Sequence, residues 1–355
     1  MAAPTSINAN INAITRDIVK RTIKDQVHYK IPVLTLLELR KQVVPGGLSI
    51  SQPVSKALRD DQVQNYTANE GMNATRKTTL DRPHFVTKNM QIPMMYDMDD
   101  LMENISGDSE SQLIDYSAHL VKEAMESLRA RIAKEFYGMG TTAAGLYDSI
   151  DAKTPGVGAH MQSLRQALTH DLTYGGLSRA TTVTNSWWQG ASIDGTYTDW
   201  NTPAVISVNF LRQMKQACLR TSPGTMPKDL KVIVGDANFL ALQTEVESKH
   251  IYNRDGSELA KFGFNTMMID GMEIINDSML SATNATNANL WVFMLNLNDW
   301  EFRINRRRNF QIQPFTDQGD IAGGLDAYLG RIKLGANLVC WKPNGSCFRS
   351  TVSAA

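Results

Sequence analysis

Between Gly46 and Gly138 the chain runs from a long polar β arm, with few residues to form a core of its own, straight into one long amphipathic helix. In Gly46 to Arg59, Leu48, Ile50, Gln52 and Val54 alternate with Ser49, Ser51 and Pro53, which is the period of a half-buried strand. A return stretch, Arg82 to Met98, again spaces apolar side chains at Phe85, Met90, Ile92, Met94 and Tyr96. The connection from Asp60 to Leu80 is polar and carries Asn65, Asn69, Gly71 and Asn73, the chemistry of turns. A lone two-stranded ribbon is at best marginally stable in water. The pattern therefore predicts a hairpin that draws its burial from elsewhere, with another subunit as the candidate source.

Ser109 with Gln112 reads as a capping box for the helix that follows. Leu113, Leu120, Val121, Ala124, Leu128, Ile132 and Phe136 recur at helical spacing, and Gly138 supplies a left-handed stop. A helix over 109–137 would be about 40 Å long. Its other face, with Lys122, Glu123, Glu126, Arg129, Arg131, Lys134 and Glu135, has near-balanced charge and suits solvent or a polar partner.

The 355 residues allow two or three compact units, and 42% hydrophobic content is enough for real cores. Thirty-six basic residues against thirty-six acidic ones give zero net charge, which argues against a dedicated nucleic-acid binder. The amino terminus lacks the pattern of a secretory signal. The uncharged stretch Ser278 to Asn298 is too rich in Asn, Ser and Thr to span a bilayer, so no membrane partner is expected. Cys218, Cys340 and Cys347 are odd in number and lack zinc-like spacing, and read as reduced thiols of a cytosolic protein.

Phosphate-loop, dinucleotide, zinc-protease and serine-hydrolase motifs are all missing, so no catalytic residue and no cofactor is expected. The nearest thing to a metal cluster is Asp97, Asp99, Asp100 and Glu103, acidic residues that a following helix dipole favours by itself. The strongest charge feature is Arg303, Arg306, Arg307 and Arg308, in a stretch whose Phe302, Ile304, Phe310 and Ile312 suggest a strand with one apolar face. Such a run is either a solvated strand face or a patch that meets an acidic neighbour or a phosphate backbone.

Along the rest of the chain, residues 1–45 contain an amphipathic helix (Ile11, Ile14, Ile18, Val19, Ile23) and an apolar segment, Ile31 to Leu39, read together as an arm. The region around Trp187 and Trp188 looks loop-rich. From Ser207 the pattern turns mixed: a helix from Val208, a strand at Lys231 to Gly235, a helix capped by Asp236, and a hairpin at Asp270-Gly271. Further strands are expected at Asn289 to Leu297 and Trp300 to Phe315. The class is α+β, an arm, a protruding hairpin, a long helix and a mixed domain.

This order of parts resembles the major capsid proteins of tailed bacteriophages, which have the HK97-like fold. The resemblance makes residues 1–45 the N-terminal arm, 46–96 the E-loop hairpin, and 97–204 a P domain with its spine helix at 109–137. It makes 205–298 the A domain, and 299–355 the long P-domain strand with a return to the A domain. Gly271 to Asp277 is similar to that family's turn into a strand, and the closing stretch from Asp326 to Ser350 to the end of its chains. What it implies is a structural, non-enzymatic protein of the virion capsid, assembled in the host cytoplasm as hexamers and pentamers around packaged DNA, with which contact is non-specific. A scaffolding protein, a portal and a decoration protein would be its partners. The implied intersubunit residues are Leu48, Ile50, Val54, Lys56, Arg59, Lys77, Arg82 and Phe85 on the hairpin, with Arg303, Arg306, Arg307 and Arg308. Two other readings stand beside it: an encapsulin-type nanocompartment shell, and a cytosolic enzyme holding a divalent metal at Asp97, Asp99 and Glu103.

Overall fold

The computed structural model describes residues 31–47, 49–66, 68, 71, 75–97, 116–138, 160–170, 173–179, 183–191, 201–202, 206–222, 224–248, 266–282, 291–317 and 327–351. The expected helix at Ile11 to Ile23, the capping pair Ser109 and Gln112, and Leu48 lie outside them. In chain order the first half gives α1 (Pro32–Glu38), β1 (Lys41–Val44), β2 (Ser49–Ser51), β3 (Val54–Ser55), β4 (Leu80–Asp81), β5 (His84–Val86) and β6 (Lys88–Asp97). The long helix α2 (Tyr116–Tyr137), α3 (Leu164–Leu168), β7 (Asn201–Thr202) and α4 (Val208–Thr221) follow. Then come β8 (Leu230–Val234), α5 (Asp236–Ser248), β9 (Thr266–Ile269), β10 (Met272–Asn276), α6 (Ser278–Ala282) and β11 (Trp291–Asn296). The chain closes with β12 (Trp300–Asn305), β13 (Gln311–Asp317), β14 (Ala327–Cys340) and β15 (Cys347–Thr351).

The first sheet is organised on β14. Ten of its residues pair antiparallel with β6, from Ala327 opposite Asp97 to Ala336 opposite Lys88. Its other flank takes β13 and then β12, and β1 adds in parallel outside β12. Side chains alternate across a strand, so Ile332, Leu334, Ala336 and Leu338 share one face and are buried there under α2. The helix meets them with Ala124, Leu128, Ile132 and Phe136, and the Phe136 ring stands edge-on to Phe302 at 5.2 Å. Helix α1 fills the same core with Val33, Leu36 and Leu37, so this part of the expected arm packs into the chain's own body.

Three local expectations change. Within the expected return stretch from Arg82, His84–Val86 pairs back on the hairpin, at β2, whereas Lys88–Asp97 is a body strand and Met94 serves the body core. Trp300 to Phe315 is not one continuous strand. Ile304 pairs with Ala336 and Gln311 with Lys333, so the chain advances seven residues where β14 advances three, and four extra residues loop out between β12 and β13. Asn305 starts the loop by accepting the Arg307 amide at 2.9 Å, a short-range turn that competes with the ladder. Glu135, expected on the solvent face, is buried because its carboxylate accepts the Met161 amide (3.1 Å), contacts His160 Nδ1 (3.2 Å) and pairs with Arg131 (3.3 Å).

The second sheet has the order β7-β15-β11-β8-β10-β9. Both of its faces are covered, which is why Lys231 to Val234 and Trp291 to Leu295 read as nearly unbroken apolar runs. Val232, Val234, Val292 and Met294 pack with α4 and α5 on one side. Ile233, Phe293, Ile275 and Phe348 join the α2 core on the other. The β9–β10 hairpin turns at Asp270 (φ 51°) and Gly271 (φ 79°), the left-handed pair that Asp-Gly adopts readily. Asp236 is the first residue of α5, and its carboxylate accepts Asn276 Nδ2 at 2.7 Å.

Helix α2 ends where Gly138 takes φ 79°. One residue earlier, the Tyr137 hydroxyl donates to Asp277 Oδ2 at 2.6 Å. The Asp277 carboxylate also accepts the Met279 amide at 2.9 Å and, at 3.4 Å, the Val33 amide. One buried carboxylate thus ties α1, α2 and the junction of β10 with α6. Burial pushes its pKa above the usual carboxylate value, the three hydrogen bonds opposing that only in part. A carboxyl whose folded pKa is raised stabilises most at low pH, and that stability is lost as pH rises through the folded pKa. Removing the side chain in Asp277→Ala leaves buried donors unsatisfied and is expected to cost about 2–3 kcal/mol near pH 4. Urea unfolding of the two proteins from pH 4 upward should show that gap narrowing; a gap that widens with pH would contradict the assignment.

Candidate intersubunit surfaces

The hairpin has an anchored base and an unpartnered outer part. At the base, Ile50 pairs with Phe85 across β2 and β5, and both are buried. Phe85 packs against Tyr174 at 5.0 Å and Trp341 at 5.5 Å between ring centres. A tight turn, Tyr174 to Leu177, closes over it, with Gly175 and Gly176 at φ 58° and 78° and the Gly175 carbonyl accepting the His84 amide at 2.9 Å. A Cβ on Gly175 would sit 2.9 Å from Phe85 Cζ, and one on Gly176 2.3 Å from His84 Cε1, so the approach requires glycine at both. Tyr174 also accepts the Cys340 amide at 2.7 Å, which fixes the turn to β14.

Beyond the base the hairpin is held by polar contacts. β3 pairs with β4, the Lys56 amide donates to Thr79 at 2.9 Å, and the Gln62 side chain donates to the Thr75 carbonyl. Lys56 pairs with Asp81 at 3.4 Å and Lys77 with Asp61 at 2.6 Å; the Lys77 hydrogen bond holds the Asp61 carboxyl below its ordinary pKa. Arg82 donates to Ser51 Oγ at 3.0 Å, and Arg59 is exposed. Against this polar frame Leu58, Val63, Tyr66 and Leu80 are 78%, 79%, 82% and 59% exposed. Among the described residues these four large apolar side chains, spread between Leu58 and Leu80, are left largely uncovered.

The candidate residues from the sequence therefore divide. Ile50 and Phe85 are buried in the chain's own core and present little surface. Arg303 is occupied, since its guanidinium pairs with Glu301 at 2.6 Å and lies over the Trp341 ring at 5.4 Å. Arg306, Arg307 and Arg308 sit on the looped-out turn and not on a strand, and all three are exposed. Val54, Lys56, Arg59, Lys77 and Arg82 lie on the hairpin beside the exposed apolar group. That group was missed because strand alternation draws attention to the paired segments; lone apolar residues inside a polar connection were the available signal.

Asp99, Asp100, Glu103 and the side chain of Asp97 lie outside the described residues. Among the described residues no group of three or more His, Cys, Asp or Glu side chains is placed to hold a metal ion, and no helix is long and apolar enough to cross a membrane. The three cysteines are free and buried.

No protein-family model matches the chain, and no curated protein matches it significantly in sequence. Solved structures do match in three dimensions. The capsid subunit of cyanophage A-1(L) superposes with a TM-score of 0.69 at 13% identity, covering 98% of this chain and 99% of the other. The chain has the HK97-like capsid fold. The capsid of Myoviridae phage XM1 shares it with a TM-score of 0.52 at 12% identity over 99% of each chain. So does the SrpI encapsulin of Synechococcus elongatus PCC 7942, with a TM-score of 0.54 at 10% identity over 99% and 97% of the two chains.

The two halves of the hairpin are expected to respond oppositely to substitution. Phe85→Ala should lower the unfolding free energy by about 3–5 kcal/mol, the cost of emptying a buried aromatic site. Leu58→Ser and Val63→Ser, at exposed sites, should change it by no more than about 0.5 kcal/mol. Denaturant titration of the isolated subunit measures all three.

Proposed function

We propose that this chain is a shell-forming subunit, the major capsid protein of a tailed bacteriophage, that assembles as hexamers and pentamers into an icosahedral container for double-stranded DNA. The observation that carries the reading is the exposed apolar group Leu58, Val63, Tyr66 and Leu80 on a hairpin whose base is rigidly fixed, within a chain that matches capsid subunits over nearly its whole length. In this reading the hairpin is the E-loop and lies over an adjacent subunit, which covers those side chains. Lys56, Arg59, Lys77 and Arg82 form the polar rim of that contact. Helix α2 is the spine helix, the first sheet belongs to the P domain and the second to the A domain. In the same reading residues 1–45 are the N-terminal arm. The role is structural, with no catalytic step, and its site is the virion, after assembly in the host cytoplasm beside a scaffolding protein and a portal, with decoration proteins as further partners.

Each contact in such a shell can be modest. Symmetry repeats it many times, so that closure of the whole needs no single strong interface. A second reading has one specific observation in its favour: the encapsulin subunit matches this chain about as well as the phage XM1 capsid does. A nanocompartment would use the same hairpin contact and enclose a protein cargo in place of DNA.

The test is negative-stain electron microscopy with light-scattering mass on the protein expressed alone and beside its neighbouring genes. Closed shells, or rings of five and six subunits, are expected, and nucleic acid or a co-purifying enzyme inside them separates the two shell readings. Deleting Asp60 to Leu80 should leave the circular dichroism and thermal transition of the subunit close to wild type and abolish closed particles. Normal shells from the deleted protein would show that the hairpin is not the clasp, and a small monodisperse oligomer under both expression conditions would sink the shell reading.

A further inference from the structure

The four residues looped out between β12 and β13 fold over the sheet face opposite α2. On β14, Ile332, Leu334 and Leu338 point toward the helix, so Arg331, Lys333 and Gly335 point the other way. A Cβ built on Gly335 would lie 3.2 Å from the Cβ of Arg308 and 3.1 Å from Asn89 Oδ1. The loop therefore crosses this outer face at a position that has no side chain to obstruct it. Arg306, Arg307, Arg308 and Arg331 are exposed there and Lys333 is half-buried.

Among the described residues none of these five cations forms an ion pair, whereas Arg303, next along the same face, is paired. Their neighbours on the sheet are uncharged: Lys333 lies between Gln91 and Gln311, and Arg331 between Pro93 and Gln313, with the exposed Met95 and its partner Leu329 farther along the same face. Around Gly335 and Lys333 the described face is thus polar and cationic, without a carboxylate at its centre, and the exposed apolar Met95 lies opposite Leu329, six residues along β14 from Gly335.

We propose that this face binds the sugar-phosphate backbone of duplex DNA. The choice of DNA over a second copy of the chain follows from the chemistry of the two kinds of interface. Protein–protein contacts are depleted of charge at their centres and built around apolar anchors, whereas nucleic-acid contacts are polar and strongly positive. Arginine predominates here, and its planar fork matches phosphate oxygens bidentately. With a small cluster and, among the described residues, no element placed to enter a groove, binding is sequence-independent and salt-sensitive. The proposal takes its reason for a nearby duplex from the shell reading, but its test does not require a shell.

Fluorescence anisotropy with a labelled random-sequence duplex, on the full-length unassembled subunit at several salt concentrations, measures it. The variant R306Q/R307Q/R308Q should bind at least about tenfold more weakly at low salt, and the slope of log affinity against log salt should shrink by about 2 to 3, close to one released counterion per arginine. R331Q/K333Q should weaken binding in the same direction, and Arg76→Gln, on the hairpin, should not. All these positions are exposed or half-buried, so an unchanged thermal transition checks that each variant folds. Wild-type affinity and slope in both multiple variants would overturn the proposal. Variants that keep duplex affinity but fail to assemble would also overturn it, and would mark the face as a contact with an acidic neighbouring subunit. Arginine-dependent duplex binding by a protein that never forms shells would leave this inference standing while the shell reading fell.

Discussion

The structure depends on the register of β14. Its fourteen residues pair with β6 on one edge and with β13 and β12 on the other. Because side chains alternate with a period of two, that register decides which face carries Ile332, Leu334 and Leu338 to α2 and which carries Arg331 and Lys333 outward. A slip of one residue would exchange the faces, burying cations under the helix and exposing the aliphatic row. The contact of α2 with β14 and the cationic outer face are therefore two consequences of one alignment. The turn at Gly175-Gly176 is bound to the same strand through the Cys340 amide, so the hairpin's direction of exit is set by it as well.

Anchoring and availability are separated along the hairpin. Phe85 is enclosed by two aromatic rings and a glycine turn, and this burial fixes how the ribbon leaves the body. The outer part has only short ladders and exposed ion pairs, which individually stabilise little. Such a segment can keep its shape without being rigid, and its apolar side chains can adjust to the surface that receives them. In the proposed shell, a subunit that fits neighbours in rings of both five and six would have use for that combination, since the geometry between subunits differs in the two rings while the fold within each subunit does not.

Much of this was legible in the sequence, for reasons that particular residues make plain. The helical spacing of Ala124, Leu128, Ile132 and Phe136 and the stop at Gly138 are local signals, and α2 follows them. Asp270-Gly271 carries its own turn chemistry. Lys88 to Asp97 reads from the sequence as the hairpin's return, and its pairing with β14 is not legible there, because its alternation is the same whether the partner is β2 or β14 and β14 lies far away in sequence. Glu135 read as a surface residue because its helical position is on the charged face; only the tertiary approach of residues 160 and 161 encloses it. The exposed apolar group on the hairpin was in view but carried no periodicity. The arginine loop read as strand because Phe302 to Ile312 alternates in composition, and nothing local announces that four residues must leave the ladder.

Charge completes the argument. The chain has equal numbers of acidic and basic residues, yet the balance is not kept at every point. On the hairpin and in the second sheet, cations meet carboxylates of their own neighbourhood, as Lys56 meets Asp81, Lys77 meets Asp61, Lys231 meets Glu273 and Arg212 meets Asp270. At the loop over Gly335 the described neighbours offer amides instead. On the proposed reading, a neutral chain whose described residues leave this cationic face without ion pairs can hold a polyanion through it. If the chain forms the proposed container, this is a useful distribution, because strong attraction over a whole inner wall would resist both filling and release, whereas a small repeated patch would order the contents at a cost that salt readily tunes.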